Sequence, residues 1–126
     1  MPKEAVSTKL APPPVGPYSQ AVKVGPLLFV SGMIALDAES NKVQGGVTRE
    51  TEKVIENLRH VIEAAGGSLE QVVKTTVYMT DLTEFKFMNQ VYEKYFKDAA
   101  PARSTVQVSG LPRDAKVEIE AIVVLA

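Results

Sequence analysis

At 126 residues with a formal net charge of −1, the chain is long enough for one domain to bury a core, and it lacks the basic excess carried by nucleic-acid and anionic-membrane binders. It has no cysteine and a single histidine, His60, so disulfides, thiol nucleophiles and thiolate metal sites are excluded and a zinc site of ordinary ligands is not expected. Apolar content of 45% and charged content of 23% are those of an ordinary globular protein, and no apolar run approaches membrane length.

Residues 1–14 read as an extended N-terminal segment of a single 1–126 domain, stiffened by Pro12-Pro13-Pro14. Its first residues show neither a secretory apolar core nor an Arg-rich amphipathic pattern. A cytoplasmic location is expected, with a mitochondrial one after loss of a presequence as the alternative. A Gly-Pro corner precedes Tyr18-Ser19-Gln20. Residues 21–24 and 27–31 then read as two strands of a hairpin turning at Gly25-Pro26. Gly32 follows Ser31 and leaves room for another group to approach the backbone. Residues 37–46 are polar and form a loop.

Thr48 is the expected N-cap of a helix whose first turn holds Glu50 and Glu52. Val54, Ile55, Leu58, Val61, Ile62 and Ala65 make one apolar face, and Gly66-Gly67 ends it. His60 lies off this stripe and is expected to be solvated. Ser68 to Gln71 fits a capping box. Residues 72–79 alternate as a strand. A second capping signal at Asp81-Leu82-Thr83-Glu84 opens a helix with Phe85, Met88, Val91, Tyr92, Tyr95 and Phe96 at helical spacing, a core stripe rather than a recognition platform. Asn89 borders that face; a mid-helix Asn is a poor helix former and is expected to bond to something.

The last third carries two alternating segments. Arg103, Thr105 and Gln107 share one face of the first; Glu118 and Glu120 share the polar face of the second. Turn formers at 109–114 read as a hairpin between them, which would bring Arg103 and both carboxylates to one face of one sheet. That face is either a salt-bridged solvent surface or a site for a small anion. The element order predicts an α+β fold: a two-layer sandwich of a mixed, mostly antiparallel-edged sheet with two helices on one face. The other face mixes polar and aliphatic groups, as a subunit interface with enclosed pockets would.

Taken together, Gly16-Pro17-Tyr18-Ser19-Gln20-Ala21, Ser31-Gly32, Asn57-Leu58, Ala64-Ala65-Gly66, Val77-Tyr78, Phe85 with Met88-Asn89 and Tyr92, Pro101-Ala102-Arg103-Ser104, Leu111-Pro112 and Glu118-Ile119-Glu120-Ala121 give a chain that resembles the RidA/YjgF reactive intermediate deaminase family from Ala11 onward. The resemblance implies a chorismate-mutase-like homotrimer with sites between subunits. It also implies hydrolysis of 2-imino and enamine acids, such as 2-iminobutanoate and 2-iminopropanoate, to 2-oxo acids and ammonia without a cofactor. Met33 stands where many members have Gln, and Thr105 where many have Cys. The latter argues against required thiol chemistry.

Such hydrolysis needs a held carboxylate, a water delivered to C2 and a proton for the leaving nitrogen. The resemblance assigns the carboxylate to Arg103, whose planar guanidinium can donate two parallel bonds; the bland alternative is a salt bridge to Glu118 or Glu120. Glu118 is the candidate for orienting or activating water, against an ordinary exposed strand glutamate. Glu120 is its weaker duplicate. Tyr18 is expected either to close the pocket or to pack in the corner. Ser31 and Gly32 can face the imine nitrogen, or Ser31 is a plain strand residue. Asn89 either orients Arg103 or touches substrate, or it is a helix-to-sheet bond. Thr105 is expected on the pocket floor. A non-enzymatic module that senses 2-oxo acids or binds a partner through the same pocket is the alternative function. Nucleic-acid and membrane partners are not expected.

Overall fold

A computed structural model describes residues 2–126. Six strands form one sheet: β1 (Glu4–Val6), β2 (Ala21–Val24), β3 (Leu27–Met33), β4 (Val72–Met79), β5 (Ala102–Gln107) and β6 (Val117–Val124). Their spatial order is β1-β2-β3-β6-β4-β5. Among the described residues only the β4–β5 pair is parallel. The helices α1 (Gly46–Ala64) and α2 (Phe85–Tyr95) pack on one face.

The β2–β3 hairpin turns at Gly25-Pro26, with Gly25 at φ 56°, a conformation glycine adopts without steric cost. The apolar stripe of α1 buries Val54, Ile55, Leu58, Val61 and Ile62 completely against Leu28, Val30, Val77, Ile119 and Val123 of the sheet. This burial of aliphatic surface is the main stabilising term of the fold. Gly66-Gly67 closes α1 as expected: Gly67 N–H donates to Ile62 O at 2.9 Å and Gly66 N–H to Glu63 O at 3.0 Å, with Gly66 in the left-handed region that a helix C-terminus favours. Gln71 Oε1 accepts Ser68 N–H at 3.1 Å, and Asp81 Oδ1 accepts Thr83 N–H at 2.9 Å ahead of α2.

Four sequence expectations are corrected. Helix α1 starts two residues before Thr48, at Gly46 after Gly45, with no side-chain cap, so Glu50 lies beyond the first turn. The N-terminal segment is extended but joins the sheet: β1 pairs with β2. Residues 109–114 do not join paired strands. β5 runs parallel beside β4 at the sheet edge, carried there by α2, because a parallel neighbour needs a long crossover. That edge is therefore parallel, while β1 is the antiparallel one. Finally, β4 separates β5 from β6, and the parity of the two registers puts Arg103 and Glu118 on opposite faces. Arg103 aligns with buried Thr75 on the helix side; Glu118 aligns with Tyr78 on the bare side.

The bare face carries Leu27, Phe29, Val106 and Val124, each at least 36% exposed, beside Lys74, Tyr78 and Glu120. Among the described residues no helix is long and apolar enough to cross a membrane.

Candidate functional site

Arg103 runs from edge strand β5 under α2, where three residues at i, i+4 and i+7 receive it. Its Nη1 donates to Asn89 Oδ1 at 2.8 Å. Its Cζ lies 4.7 Å from the Tyr92 ring centroid and 5.4 Å from that of Phe85, within cation–π range. The Tyr92 ring is itself fixed, because its hydroxyl shares a 2.7 Å buried hydrogen bond with Thr75 Oγ1 and its face leans on Phe96. Burial pushes the Tyr92 phenol above its ordinary pKa, so it stays neutral beside the arginine. Among the described residues no carboxylate pairs with Arg103; the salt bridge present is Arg49–Glu52. A cleft of about 520 Å³, bordered by Asn89, Tyr92, Glu93, Lys97 and Pro101, opens onto the guanidinium. Thr105 follows two residues along, level with Val77. Its Oγ1 is buried without a hydrogen-bond partner in the chain, and it does not border this cleft.

The second half of the site lies on the bare face. Between the pairs Val30–Ala121 and Met33–Ile119, two residues of β3, Ser31 and Gly32, oppose the single residue Glu120. This is a β-bulge, a device that bends a strand and re-aims its groups. A Cβ built on Gly32 would collide with the Glu118 carboxylate, so the missing side chain is the notch that Glu118 occupies. Burial, and secondarily the charge of Glu120, hold the Glu118 carboxyl above the usual carboxylate range. Glu120 itself is exposed and accepts the Tyr78 hydroxyl at 3.0 Å. Ser31 Oγ donates to Ser19 O at 2.6 Å and Ser31 N–H donates to Gln20 O at 2.9 Å. Ser31 thus fastens the segment bearing Tyr18 to β3. Tyr18 is half exposed, with its hydroxyl accepting Val15 N–H at 3.4 Å. Tyr18, Ser31, Gly32 and Glu118 line one cavity of about 460 Å³ whose remaining walls are mostly apolar, among them Ile34, Leu36 and Pro112.

The predicted site residues therefore fall into two groups. Arg103, Asn89 and Thr105 sit on the helix side of the edge strand; Tyr18, Ser31, Gly32 and Glu118 sit across the sheet. β5 and β6 are two strand spacings apart, about 10 Å. Arg103 is level with Thr75 and hence with Ala121, three residues along β6 from Glu118, again about 10 Å.

Two supporting side chains escaped the sequence reading. Gln20, 3% exposed, accepts Thr8 N–H at 2.8 Å and donates to Thr8 O at 3.1 Å and Pro12 O at 2.9 Å. It ties the proline run, and so the wall near Tyr18, to the start of β2. Asn57, fully buried, donates to Leu36 O at 2.9 Å and Ile34 O at 3.2 Å and fixes the opposite wall. A mid-helix Asn beside an apolar stripe is the same signal that marked Asn89.

Residues 8–125 match the family described as Endoribonuclease L-PSP. A RutC family protein of Pyrococcus abyssi is 50% identical over 123 residues, 97% of each chain. The protein of Mus musculus called 2-iminobutanoate/2-iminopropanoate deaminase is 44% identical over 123 residues, 97% of this chain and 91% of that one. The crystal structure of RidA from an Antarctic Psychrobacter superposes with a TM-score of 0.93 at 43% identity, over 97% of this chain and 99% of the other.

Proposed function

The chain belongs to the Endoribonuclease L-PSP family, the RidA/YjgF family, and from that premise we propose that it is an imine deaminase, hydrolysing 2-imino acids and their enamine tautomers to 2-oxo acids and ammonia. The observation that carries the reading is Arg103: a guanidinium seated on two aromatic rings and one neutral amide oxygen, facing a cleft with its charge unneutralised by any acid among the described residues. A small organic carboxylate is the ligand such a group selects, through two parallel charge-assisted bonds.

Because Arg103 and Glu118 lie on opposite faces, one substrate meets both only where two copies join. The working form is a homotrimer with a site at each junction, the Arg103 half from one copy and the Glu118 half from its neighbour. The partly apolar bare face is suited to such a junction. Arg103 grips the carboxylate and Asn89 holds its angle. Glu118 takes a proton from a water as the oxygen attacks C2, and the C=N electrons move to nitrogen. Glu118 returns the proton to that nitrogen. Glu118 then takes the proton of the new C2 hydroxyl and passes it to the amino group, so that the C–N bond breaks as C2 becomes a carbonyl and the nitrogen leaves as ammonia. Tyr18 covers the cleft, Gly32 gives backbone access near the imine nitrogen, and Ser31 holds the Tyr18 segment. Thr105 lies outside the cleft and has no part in this scheme. Activated imines hydrolyse in water, so orientation plus one proton relay is sufficient acceleration.

The test is a coupled assay in which a threonine dehydratase releases the imine. Wild-type protein should shorten the life of the imine, and Arg103→Ala should abolish that effect while still folding and assembling. A protein that binds 2-oxobutanoate but leaves the imine's lifetime unchanged is a sensor, and the deaminase reading fails.

A further inference from the structure

Glu50 lies on the buried side of α1 and is 2% exposed, an unusual place for a carboxylate. Its Oε1 accepts the backbone N–H of Lys116 at 2.8 Å. The carbonyl of the same residue accepts Thr80 N–H at 3.3 Å. Lys116 is thus held from one side by α1 and from the other by the residue after β4. It immediately precedes β6, and Glu118 is two residues beyond it. Just before it, Arg113 and Asp114 both adopt the left-handed region, at φ 58° and 57°, a conformation that Asp tolerates and that is uncommon for Arg. The turn is also closed by Ala115 N–H to Pro112 O at 3.1 Å, with Ala115 buried, and carries two exposed ties, Arg113 Nη1 to Ser40 O at 3.2 Å and Lys42 Nζ to Asp114 O at 3.0 Å. Pro112 and Arg113 line the same cavity as Glu118.

A partly buried backbone donor is held by an acceptor, and here that acceptor is the side-chain oxygen of Glu50. We infer that Glu50 is a positioning residue for Glu118: resting on the deaminase reading, it fixes where β6 begins and so sets the Glu118 carboxylate against the Gly32 notch. Without that acceptor the Lys116 amide turns toward water, the turn relaxes, and the start of β6 shifts under its carboxylate.

Two variants separate acceptor from volume. Glu50→Gln keeps an oxygen that can receive Lys116 N–H; Glu50→Met fills similar space with none. Glu50→Met should lose about tenfold in kcat with KM nearly unchanged, the signature of a displaced reacting group, and Glu50→Gln should restore most of it. Equal kcat in Glu50→Met and wild type overturns the inference. So does a loss in both variants that follows their fall in Tm. If Glu50→Met does not fold, Glu50→Asp, which keeps the carboxyl group but draws it back by one methylene, replaces it. A slower Glu50→Asp beside a near-normal Glu50→Gln supports the inference, and equal rates end it.

A readout independent of turnover is the carboxyl titration of Glu118 by NMR. Glu120, Tyr78, Tyr18 and Arg113 also face or border that group and are unchanged in every variant. Its midpoint should drop toward the ordinary carboxylate range in Glu50→Met and hold in Glu50→Gln. An unmoved midpoint in Glu50→Met counts against the inference even if no imine is hydrolysed, whereas an inactive wild type with a shifted midpoint strikes the deaminase reading alone.

Discussion

Asn89 Oδ1 lies 2.8 Å from Arg103 Nη1, and this amide oxygen is the guanidinium's side-chain acceptor among the described residues. The pairing orients the arginine without neutralising it. Asn89→Asp replaces the amide with a full negative charge that competes with an incoming carboxylate. KM for an imino acid should rise by about tenfold or more, with a smaller change in kcat, because the lost interaction is shared by ground and transition states. Steady-state kinetics on imines released by a coupled dehydratase check this, and an unmoved KM would remove Arg103 as the carboxylate anchor.

Glu118 must be ionised to accept a proton from water, and burial followed by the charge of Glu120 raises its pKa. The kcat/KM profile should therefore climb with pH through a midpoint above the ordinary carboxylate range. Glu120→Gln removes the second cause and should move that limb to lower pH; a limb that stays put assigns it to another group.

The same raised pKa sets a stability sign. The folded state holds the Glu118 proton more tightly than the unfolded chain does. Its contribution to stability is therefore full below the unfolded pKa and is lost as pH rises through the folded one. Glu118→Gln should raise Tm near neutral pH, have little effect in acid, and slow turnover by about a hundredfold or more. Thermal melts at both pH values, read beside rates, separate the two effects.

Gly32→Ala introduces a Cβ where the Glu118 carboxylate sits. The side chain of Glu118 can swing away, so Tm should change little, but kcat should fall with substrate affinity largely kept. A crystal structure of the variant should show the carboxylate displaced from the β3 bulge. Wild-type turnover in Gly32→Ala would mean that this placement is irrelevant to the chemistry.

Arg103→Ala and Glu118→Gln each remove one half of the proposed junction site. When the two inactive proteins are dissociated, mixed equally and reassembled, about a quarter of junctions combine an intact Arg103 half with an intact Glu118 half. Activity should return to roughly that fraction of wild type. No recovery in verified mixed oligomers would place both groups in one copy's site.

Much of the architecture was legible in the sequence because local rules governed it. The apolar stripe of α1, its Gly66-Gly67 end, the Gly25-Pro26 hairpin and the Asp81 cap each follow from a spacing or a turn residue. What escaped depends on partners far away along the chain. Nothing local in residues 109–114 tells a hairpin from a passage between strands two positions apart, so alternation put Arg103 and Glu118 on one face. The α2 crossover, which delivers β5 to the outer side of β4, sets the opposite parity. Thr48 resembled a cap because cap chemistry ignores how the preceding loop arrives; Gly45 and Gly46, both at positive φ, let α1 start earlier. In the candidate site the residue types were readable, and the Asn89–Arg103 contact was among the readings. The anchoring duties of Gln20, Asn57 and Glu50 lie in backbone groups 8 to 66 positions away, beyond the reach of any periodicity.

The β4-α2-β5 crossover also decides how the two halves are written along the chain. Everything that seats Arg103, from Thr75 through Phe85, Asn89 and Tyr92, comes from one uninterrupted run of backbone. The groups around Glu118 are gathered instead from residues near both termini, Tyr18 to Gly32 and Pro112 onward. The surroundings of Arg103 are thus one local segment, whereas those of Glu118 exist only because β3 and β6 lie side by side and bring distant parts of the chain together.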